Sequence, residues 1–568
     1  MAMDLEQTLN FTVVVPYSKP VFSLFWLPPQ KCASYEYCSI TSQRLSSFAI
    51  CLFVSLGIFL VKTKFINIFT KSKNVPSLPP GPSPWPLVGN VLEMWRNRPA
   101  YRWINRFMKE LDTDIACICL GKTNVITVNS PEIAREFFKK YDAVFASRPL
   151  TVNTGIFSRG FLATIVTPMG NQWKKMRRVL IHDVFNRSKM QWMLQKRNEE
   201  ADNLIRYIHN LSYNGGSAGQ VVNVRTAAQH YTGNVMRKMM FNRRFYGKGS
   251  EDGGPGVEEE EHLSALFTLL LHIYAFSVVD YLPWMRVFDL DEHEKKVSEA
   301  MEVLKKYQEV IVNERVQQWR EGKKIEAEDL LDIFITLKDE DGEPLLSNDE
   351  IKAQITEIFL ATVDNPSNAA EWALSEMLNQ PEQLEKAVEE LDRVVGKDKL
   401  VQEHDIPNLP YITACLREAF RLHPISPFNV PHLSVSDCIV AGYFIPKGSH
   451  VLLSRLELGR NPKVWEDPLR FDPERHLKDG VATQQVSLAE PELRFITFTT
   501  GRRSCLGSWL GTTMSVMLLA RLVQGFTWSM PPGVEKIDLI EADSLLLKDT
   551  PLHAHAKPRL PASVYPMN

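Results

Sequence analysis

The sequence lacks features that are typical of several large protein classes: many cysteines, a block of basic residues and internal repeats. It carries only eight cysteines in 568 residues and no Cys-x-x-Cys pair, which excludes a disulfide-rich scaffold and removes the usual signature of a zinc site. Its 65 basic and 67 acidic residues give a net charge of −2, with no long block of Lys or Arg, so we expect no nucleic-acid partner. No internal repeat is visible. With 44% hydrophobic and 23% charged residues, the composition is that of a folded globular protein.

Long apolar runs are also scarce, and one stands out near the start of the chain. Leu45–Val61 is almost wholly apolar and lies near the lower limit of about 17 residues for a membrane-spanning helix. The run is followed by Lys62, Lys64, Lys71 and Lys73. Because positive flanks stay in the cytosol, we expect the bulk of the chain there. A cleaved signal peptide is the main alternative, but the run begins far from Met1 and lacks a clear cleavage site. A buried core helix is less favoured still.

The residues before this run form the predicted lumenal tail, 1–44. Asn10 begins an Asn-Phe-Thr sequon for glycosylation, and Cys32 and Cys38 are close enough in sequence to pair in an oxidising lumen. Both are hypotheses that depend on the orientation of the predicted span.

Prolines cluster after the basic flank. Pro79–Pro82 contains three prolines in four residues, which fix an extended, semi-rigid spacer because proline holds φ and donates no hydrogen bond. We therefore divide the chain into a tail (1–44), a transmembrane anchor (45–61), a basic flank with a hinge (62–90) and one cytosolic domain (91–568).

The cytosolic domain has mostly helical patterning. A buried stripe of a long amphipathic helix is predicted at Val297, Met301, Leu304 and Ile311. β-Branched residues predict a short strand at Val125–Val128, and residues 247–262, which are glycine-rich and acidic, predict a solvent-exposed loop. The pattern indicates a mainly α domain of the α+β class with small sheets.

A second long helix is predicted over Ser347–Asn379, with Ser347 or Asn348 as its cap, and it contains Pro366. An internal proline costs about 3 kcal/mol, frees the carbonyl one turn back, here that of Thr362, and kinks the helix. Such a break can hold water or ligand, although an accidental kink is the plainer interpretation of the proline alone.

One cysteine stands in a distinctive loop. Residues 498–507 read Phe-x-x-Gly-x-Arg-x-Cys-x-Gly, with Arg503 two residues before Cys505 and a helix-like run, Ser508–Phe526, beyond. A helix N-terminus favours a thiolate over a thiol, and a thiolate suits a metal. A lone Cys-x-Gly is more often a small structural cysteine, so the hypothesis that Cys505 binds a metal rests on the longer motif.

That motif resembles the haem-binding loop of the cytochrome P450 superfamily. The resemblance extends from about Pro79 to the C-terminus and implies a P450 fold with haem b, whose iron takes Cys505 as its axial ligand. Trp173 and Arg177, four apart on one predicted helical face, resemble the family's Trp-x-x-x-Arg; with Arg503 and His432 they are implied to neutralise the haem propionates. Without the resemblance, Trp173 and Arg177 fit a solvated basic face equally well, and His432 fits simple packing better.

The resemblance also implies a structural network behind the haem. Glu418 and Arg421 match the family's Glu-x-x-Arg, and Arg475 matches the arginine of Pro-Glu-Arg. His476 replaces the phenylalanine that is usual after that arginine, a mild departure. A buried charge network tolerates no missing partner, so we expect these residues to be structural and indispensable. An isolated pair of this kind is usually a surface feature.

The predicted oxygen-binding helix departs from the family pattern. Asp364 retains the usual acid, but Asn365 stands where an alcohol is usual, and an amide cannot relay a proton as a hydroxyl does. Asn365–Ala369 and the segment Phe428–His432 resemble the plant amino-acid N-monooxygenases, which convert amino acids to aldoximes. Asp364 and Asn365 are therefore the catalytic candidates.

This branch implies two N-hydroxylations of an L-amino acid, phenylalanine being our first candidate. The products feed defence metabolites such as cyanogenic glycosides or glucosinolates. The resemblance implies O2 as co-substrate, electrons from NADPH through NADPH–cytochrome P450 reductase, contact with membrane lipid of the endoplasmic reticulum, and downstream pathway enzymes as partners. Two alternatives stay open: a C-hydroxylating P450 of plant secondary metabolism, and an oxygen-independent haem-thiolate isomerase or sensor.

Overall fold

The computed structural model describes residues 76–214, 221–273, 275–288, 290–477, 485–543 and 545–566. The predicted tail and anchor, with Asn10, Cys32 and Cys38, lie outside these residues and remain predictions. Within the described ranges, no helix combines the length and apolar character that a membrane crossing requires.

Helices are the main secondary structure of the described chain. In order they are α1 Val91–Arg96, α2 Ala100–Glu110, α3 Pro131–Arg135, α4 Val152–Phe157, α5 Asn171–Val179, α6 Arg187–Trp192, α7 Leu194–Asn214, α8 Val224–Phe241, α9 Val257–His272, α10 Val278–Tyr281, α11 His293–Arg320, α12 Leu330–Thr336, α13 Asn348–Asn379, α14 Pro381–Val394, α15 Pro410–Leu422, α16 Arg455–Gly459 and α17 Ser508–Gly525. The predicted stripe of Val297, Met301, Leu304 and Ile311 is buried along α11.

Three small sheets accompany the helices. Their strands are β1 Ile115–Leu120, β2 Thr123–Val128, β3 Val221–Asn223, β4 His432–Leu433, β5 Cys438–Val440, β6 Tyr443–Ile445, β7 His450–Leu453, β8 Phe526–Ser529 and β9 His553–Pro558. The largest has the order β1-β2-β7-β4, and only its β2–β7 pair is parallel. The others are β3-β9-β8 and the hairpin β5-β6. The mainly helical fold with small sheets is thus confirmed, and the strand predicted at Val125–Val128 lies within β2.

The end of the predicted proline hinge packs against the first sheet. The amide of Cys117 in β1 donates to the Pro80 carbonyl at 2.9 Å. A Cβ on Gly81 would lie 1.9 Å from the Cys117 carbonyl oxygen, so only glycine permits this approach. This part of the hinge therefore belongs structurally to the folded domain.

Helix α13 forms the centre of the core. Ser347 accepts from the Glu350 amide, and the Glu350 carboxylate accepts from the Ser347 amide at 2.8 Å, a capping box that fixes the first turn. The helix continues through Pro366 to Asn379, as predicted. It packs against α8, α15 and α17, and its Trp372 is fully buried and stacked on His423 at 3.9 Å.

The prediction of an exposed loop over residues 247–262 was wrong in its second part. Helix α9 begins at Val257, and Glu259 in its first turn is buried. The Glu259 carboxylate accepts from the backbone amides of Tyr246 at 2.6 Å and Gly256 at 3.0 Å. These amide hydrogen bonds and the positive end of the helix dipole offset the cost of burying the Glu259 carboxylate.

Candidate active site

The Cys505 loop folds as a tight turn in front of α17. The Cys505 amide donates to the Phe498 carbonyl at 2.9 Å, and Gly507 is the N-cap residue of α17. Gly501 has φ +75°, and a Cβ there would lie 2.4 Å from Asp142 Oδ1. The predicted position of the cysteine just before a helix N-terminus is confirmed.

The Cys505 side chain is surrounded by protein and yet can be reached by solvent. Burial raises the pKa of its thiol. The Gly507 amide and the guanidinium groups of Arg455 and Arg177 act in the opposite sense but do not overcome the burial. The amide at the helix end thus favours the thiolate, as expected, but it does not outweigh the burial of the thiol. A bound metal ion would deprotonate the thiol.

The Trp173 ring contacts two guanidinium groups. Arg503 stacks on its ring at 4.6 Å from the centroid and Arg177 at 5.6 Å. Arg177 also donates to the Ser504 carbonyl at 3.5 Å, next to Cys505. The structure thus brings the predicted Trp-x-x-x-Arg pair of α5 to the cysteine loop.

Arg503 is strongly engaged with the protein backbone. It donates to the carbonyls of Ala146 at 2.5 Å, Thr164 at 3.1 Å and Thr167 at 2.7 Å. These bonds fasten the segment before α5 to the cysteine loop. Holding that segment is a role that sequence reasoning did not assign to Arg503.

His432 stands on β4 beside the same segment. Its Nδ1 lies 2.7 Å from the Phe145 carbonyl, which makes Nδ1 the protonated nitrogen of the neutral ring. Burial and the nearby charge of Arg148 hold the pKa of His432 well below its usual range. Without a bound anion the imidazole is therefore uncharged, so the predicted neutralisation of a propionate requires the propionate itself to favour the protonated ring.

Two buried charged residues that support the site were missed by sequence reasoning. Glu357 on α13 accepts from the amides of Thr164 at 2.9 Å and Ile165 at 2.7 Å, and burial raises its pKa to about 7. Arg148 donates to the Ile165 carbonyl at 3.0 Å. No local motif marks either residue, because their partners are backbone groups distant in sequence.

Asp364 and Asn365 lie at the middle of α13. Asp364 is buried, its Oδ1 has no partner, and burial raises its pKa to about 7 against the opposing charge of Arg225. One turn on, neither polar atom of the Asn368 side chain has a partner. Asn365 instead donates back to the Ala361 carbonyl at 2.9 Å. Buried polar atoms without partners are rare, and they indicate a place where water or ligand binds.

The predicted structural network is complete. The Glu418 carboxylate accepts hydrogen bonds from Arg421 Nε and Nη2, each at 2.7 Å, and from Arg475 Nε at 2.9 Å. It also lies 2.7 Å from His476 Nε2. Burial opposes the carboxylate, but the hydrogen bonds and charges of Arg421 and His476 outweigh it and lower the pKa of Glu418 to about 2. His476, treated as a mild departure, is a full member of this network.

The residues around Cys505 fit an iron porphyrin. Sulfur is a suitable axial donor for haem iron, and Arg177 supplies a cationic group for carboxylates at the same place. Arg455, which no sequence motif marked, is buried beside Cys505 with an unpartnered Nε. Cys505 would hold the iron, and Trp173, Arg177 and His432 would meet the propionates.

Comparison with known proteins decides the family. A family model described as Cytochrome P450 matches residues 79–555. The chain belongs to the cytochrome P450 family. Members of this family are haem enzymes, and their monooxygenases use O2 and electrons that a reductase draws from NADPH.

Named relatives of this P450 are amino-acid N-monooxygenases. The chain is 64% identical over 521 residues to a tryptophan N-monooxygenase of Prunus mume, which covers 91% of this chain and 97% of that protein. It is 56% identical over 518 residues to a phenylalanine N-monooxygenase of Arabidopsis thaliana, and the match covers 91% of this chain and 97% of that protein. Identity to a valine N-monooxygenase of Manihot esculenta is 55% over 520 residues, with 91% and 94% covered.

Proposed function

We propose that this P450 N-hydroxylates an L-amino acid twice and releases the aldoxime. The observation that carries the proposal is 64% identity over nearly the full length of an enzyme named for this reaction on tryptophan. The relatives named above act on aromatic and branched aliphatic amino acids. Tryptophan therefore joins phenylalanine, our first candidate, as a substrate to test.

The overall reaction is balanced by two rounds of oxygen insertion. One amino acid, two O2, two NADPH and two protons give one aldoxime, one CO2, three water molecules and two NADP+. When bound, the haem supplies activation of O2 and transfer of one oxygen atom to the substrate nitrogen. Loss of water and CO2 after the second hydroxylation forms the C=N bond.

Cys505, Asp364 and Asn365 have distinct roles in this proposal. Cys505 would hold the iron, and its thiolate would supply electron density to the bound haem. Asp364 holds a proton in a buried carboxyl whose pKa is raised to about 7, so it is a proton source near neutral pH. Asn365 cannot relay that proton through a hydroxyl, so water bound at the unpartnered atoms of Asp364 and Asn368 would have to carry it.

The test uses microsomes that contain the full chain and NADPH–cytochrome P450 reductase. Tryptophan and phenylalanine are supplied separately with NADPH, and oximes are measured by mass spectrometry against a Cys505→Ser control. An oxime from either substrate supports the proposal. If other amino acids also give none, N-hydroxylation is wrong and C-hydroxylation becomes the better hypothesis. Turnover that needs no NADPH would favour the oxygen-independent alternative.

We also propose that the enzyme is anchored in the endoplasmic reticulum membrane by Leu45–Val61, with the folded domain in the cytosol. The apolar run and the lysines after it support this orientation. Protease added to intact microsomes should digest the domain, while tags placed before the run should be protected. Digestion of the tag and protection of the domain would reverse the proposed topology.

A further inference from the structure

Arg455 differs from the other buried arginines of the described chain. Eight arginines are buried: Arg148, Arg197, Arg237, Arg417, Arg421, Arg455, Arg503 and Arg521. Seven of them donate to carbonyl, amide or carboxylate oxygens. Arg455 is 8% exposed, its Nε is buried without a partner, and no side-chain hydrogen bond from it to the described residues is present.

The backbone around Arg455 is held firmly. Ser454 donates its amide to the Val128 carbonyl at 2.9 Å, and Arg455 donates its own to the Pro427 carbonyl at 2.8 Å. The next side chain, Leu456, packs in a small apolar cluster. The backbone of Arg455 is therefore fixed between the sheet and the segment that contains Pro427. A partner for its side chain has to be a group that binds next to it.

The Arg455 guanidinium lies near the Cys505 side chain. Burial lowers the pKa of Arg455 to about 10, although Cys505 acts in the opposite sense. The side chain thus stays charged near neutral pH. A buried cation without a partner is strongly unfavourable, and the thiolate is an inadequate counter-ion because a bound iron would take its charge.

We propose that Arg455 binds a carboxylate group beside Cys505. The planar guanidinium matches two carboxylate oxygens, whereas a single sulfur offers no such pair. Two sources share this chemistry: a propionate of the haem, and the α-carboxylate of an amino-acid substrate. The second source rests on the proposed function, and it would explain recognition of the part that all amino-acid substrates have in common.

The experiment uses the haem-loaded full chain in detergent, comparing wild type, Arg455→Met and Arg455→Lys. Arg393→Met is the matched control, because Arg393 is exposed on α14. One assay measures the affinity for tryptophan, phenylalanine and their decarboxylated amines from difference spectra. The other measures the rate at which haem passes to an excess of apomyoglobin.

Each source predicts a different result. If the substrate is the source, Arg455→Met weakens amino-acid binding by about ten- to hundredfold, leaves the amines unchanged and releases haem normally. If a propionate is the source, haem release accelerates by about tenfold or more and ligand affinities stay similar. Arg455→Lys, which keeps the charge but loses the paired geometry, should fall between wild type and Arg455→Met.

Unchanged amino-acid affinity together with unchanged haem release in Arg455→Met would overturn the proposal. If this variant does not fold, Arg455→Gln and Arg455→Lys enter the same assays, and wild-type values in both assays would overturn it equally. A wild-type enzyme that binds no amino acid contradicts the proposed function instead, and haem release then still tests Arg455.

Discussion

The Glu418 network and the pair of residues proposed to meet ligands or protons, Arg455 and Asp364, both consist of buried charged groups, but these groups are partnered differently. Every charge around Glu418 finds a protein partner, and Arg421 also donates to the Gly459 and Pro468 carbonyls. Arg455 Nε and Asp364 Oδ1, by contrast, are buried and have no partner among the described residues. The Glu418 network is thus complete within the protein, whereas Arg455 and Asp364 can each still take a further polar partner.

The largest effect is expected from breaking the complete network. Glu418→Gln leaves Arg421 buried without a full counter-charge, so we expect a loss of about 3–5 kcal/mol in the free energy of unfolding, enough to prevent folding. Thermal unfolding and haem content measure this, with exposed Glu385→Gln as control. A stable, haem-loaded Glu418→Gln enzyme would contradict the structural role.

The same network predicts sensitivity to acid. The pKa of Glu418 is lowered from 4.5 to about 2 in the folded protein. Its stabilising contribution is therefore present above the unfolded value and is lost as pH falls through the folded one.

Removing the Cys505 thiol should abolish activity while leaving the stability of the fold nearly unchanged. Cys505→Ser should abolish oxime formation and the haem-thiolate band of the reduced carbon monoxide complex. The apoprotein should unfold within about 1 kcal/mol of the wild-type apoprotein, since no network depends on the sulfur. Cys438→Ser, at a half-buried cysteine, should retain the band. A Cys505→Ser enzyme that kept it would refute the assignment of the axial ligand.

The buried Asp364 carboxyl should lower the free energy of unfolding as pH rises. Its pKa is raised from 3.8 to about 7, so the folded state binds more protons than the unfolded state between these values, and stability falls as pH rises through them. Asp364→Asn should remove this loss and be more stable than wild type at pH 8 by roughly 1–3 kcal/mol.

Unfolding at several pH values measures the effect, with exposed Asp341→Asn as control. Parallel stability curves for Asp364→Asn and wild type would show that the carboxyl is not penalised by burial. Oxime formation by Asp364→Asn should fall at all pH values, which separates the catalytic role from the stability effect.

The smallest effect is expected at the edge of the complete network. His476→Phe restores the residue usual in the family but removes two hydrogen bonds, the one between His476 Nε2 and Glu418 and the one that Arg417 Nε donates to His476 Nδ1 at 3.2 Å. The bonds of Arg421 and Arg475 to Glu418 remain. We expect a loss of about 1–2 kcal/mol in the free energy of unfolding, compared with His182→Phe at an exposed position. An unchanged or higher stability would mean that the ring packs without its hydrogen bonds contributing.

Local patterns predicted the parts of this fold that depend on neighbours in sequence. Ser347 and Glu350 are three apart and cap α13 where the sequence indicated. The helix after Cys505 runs from Ser508 to Gly525, one residue short of the predicted end. The sequence patterns did not predict that Glu259 is buried, because its burial depends on the Tyr246 amide, which lies in a separate segment.

The sequence by itself determined the family, the cysteine loop and the Glu418 network, because each is written in residues with fixed spacing. Tertiary structure alone decided which charges are satisfied. Arg503 proved to hold backbone carbonyls from a distant segment, and Arg455 proved to be buried without an acceptor. The reason is physical: whether a buried charge has a partner depends on groups brought together from the whole chain, and spacing along one segment does not contain that information.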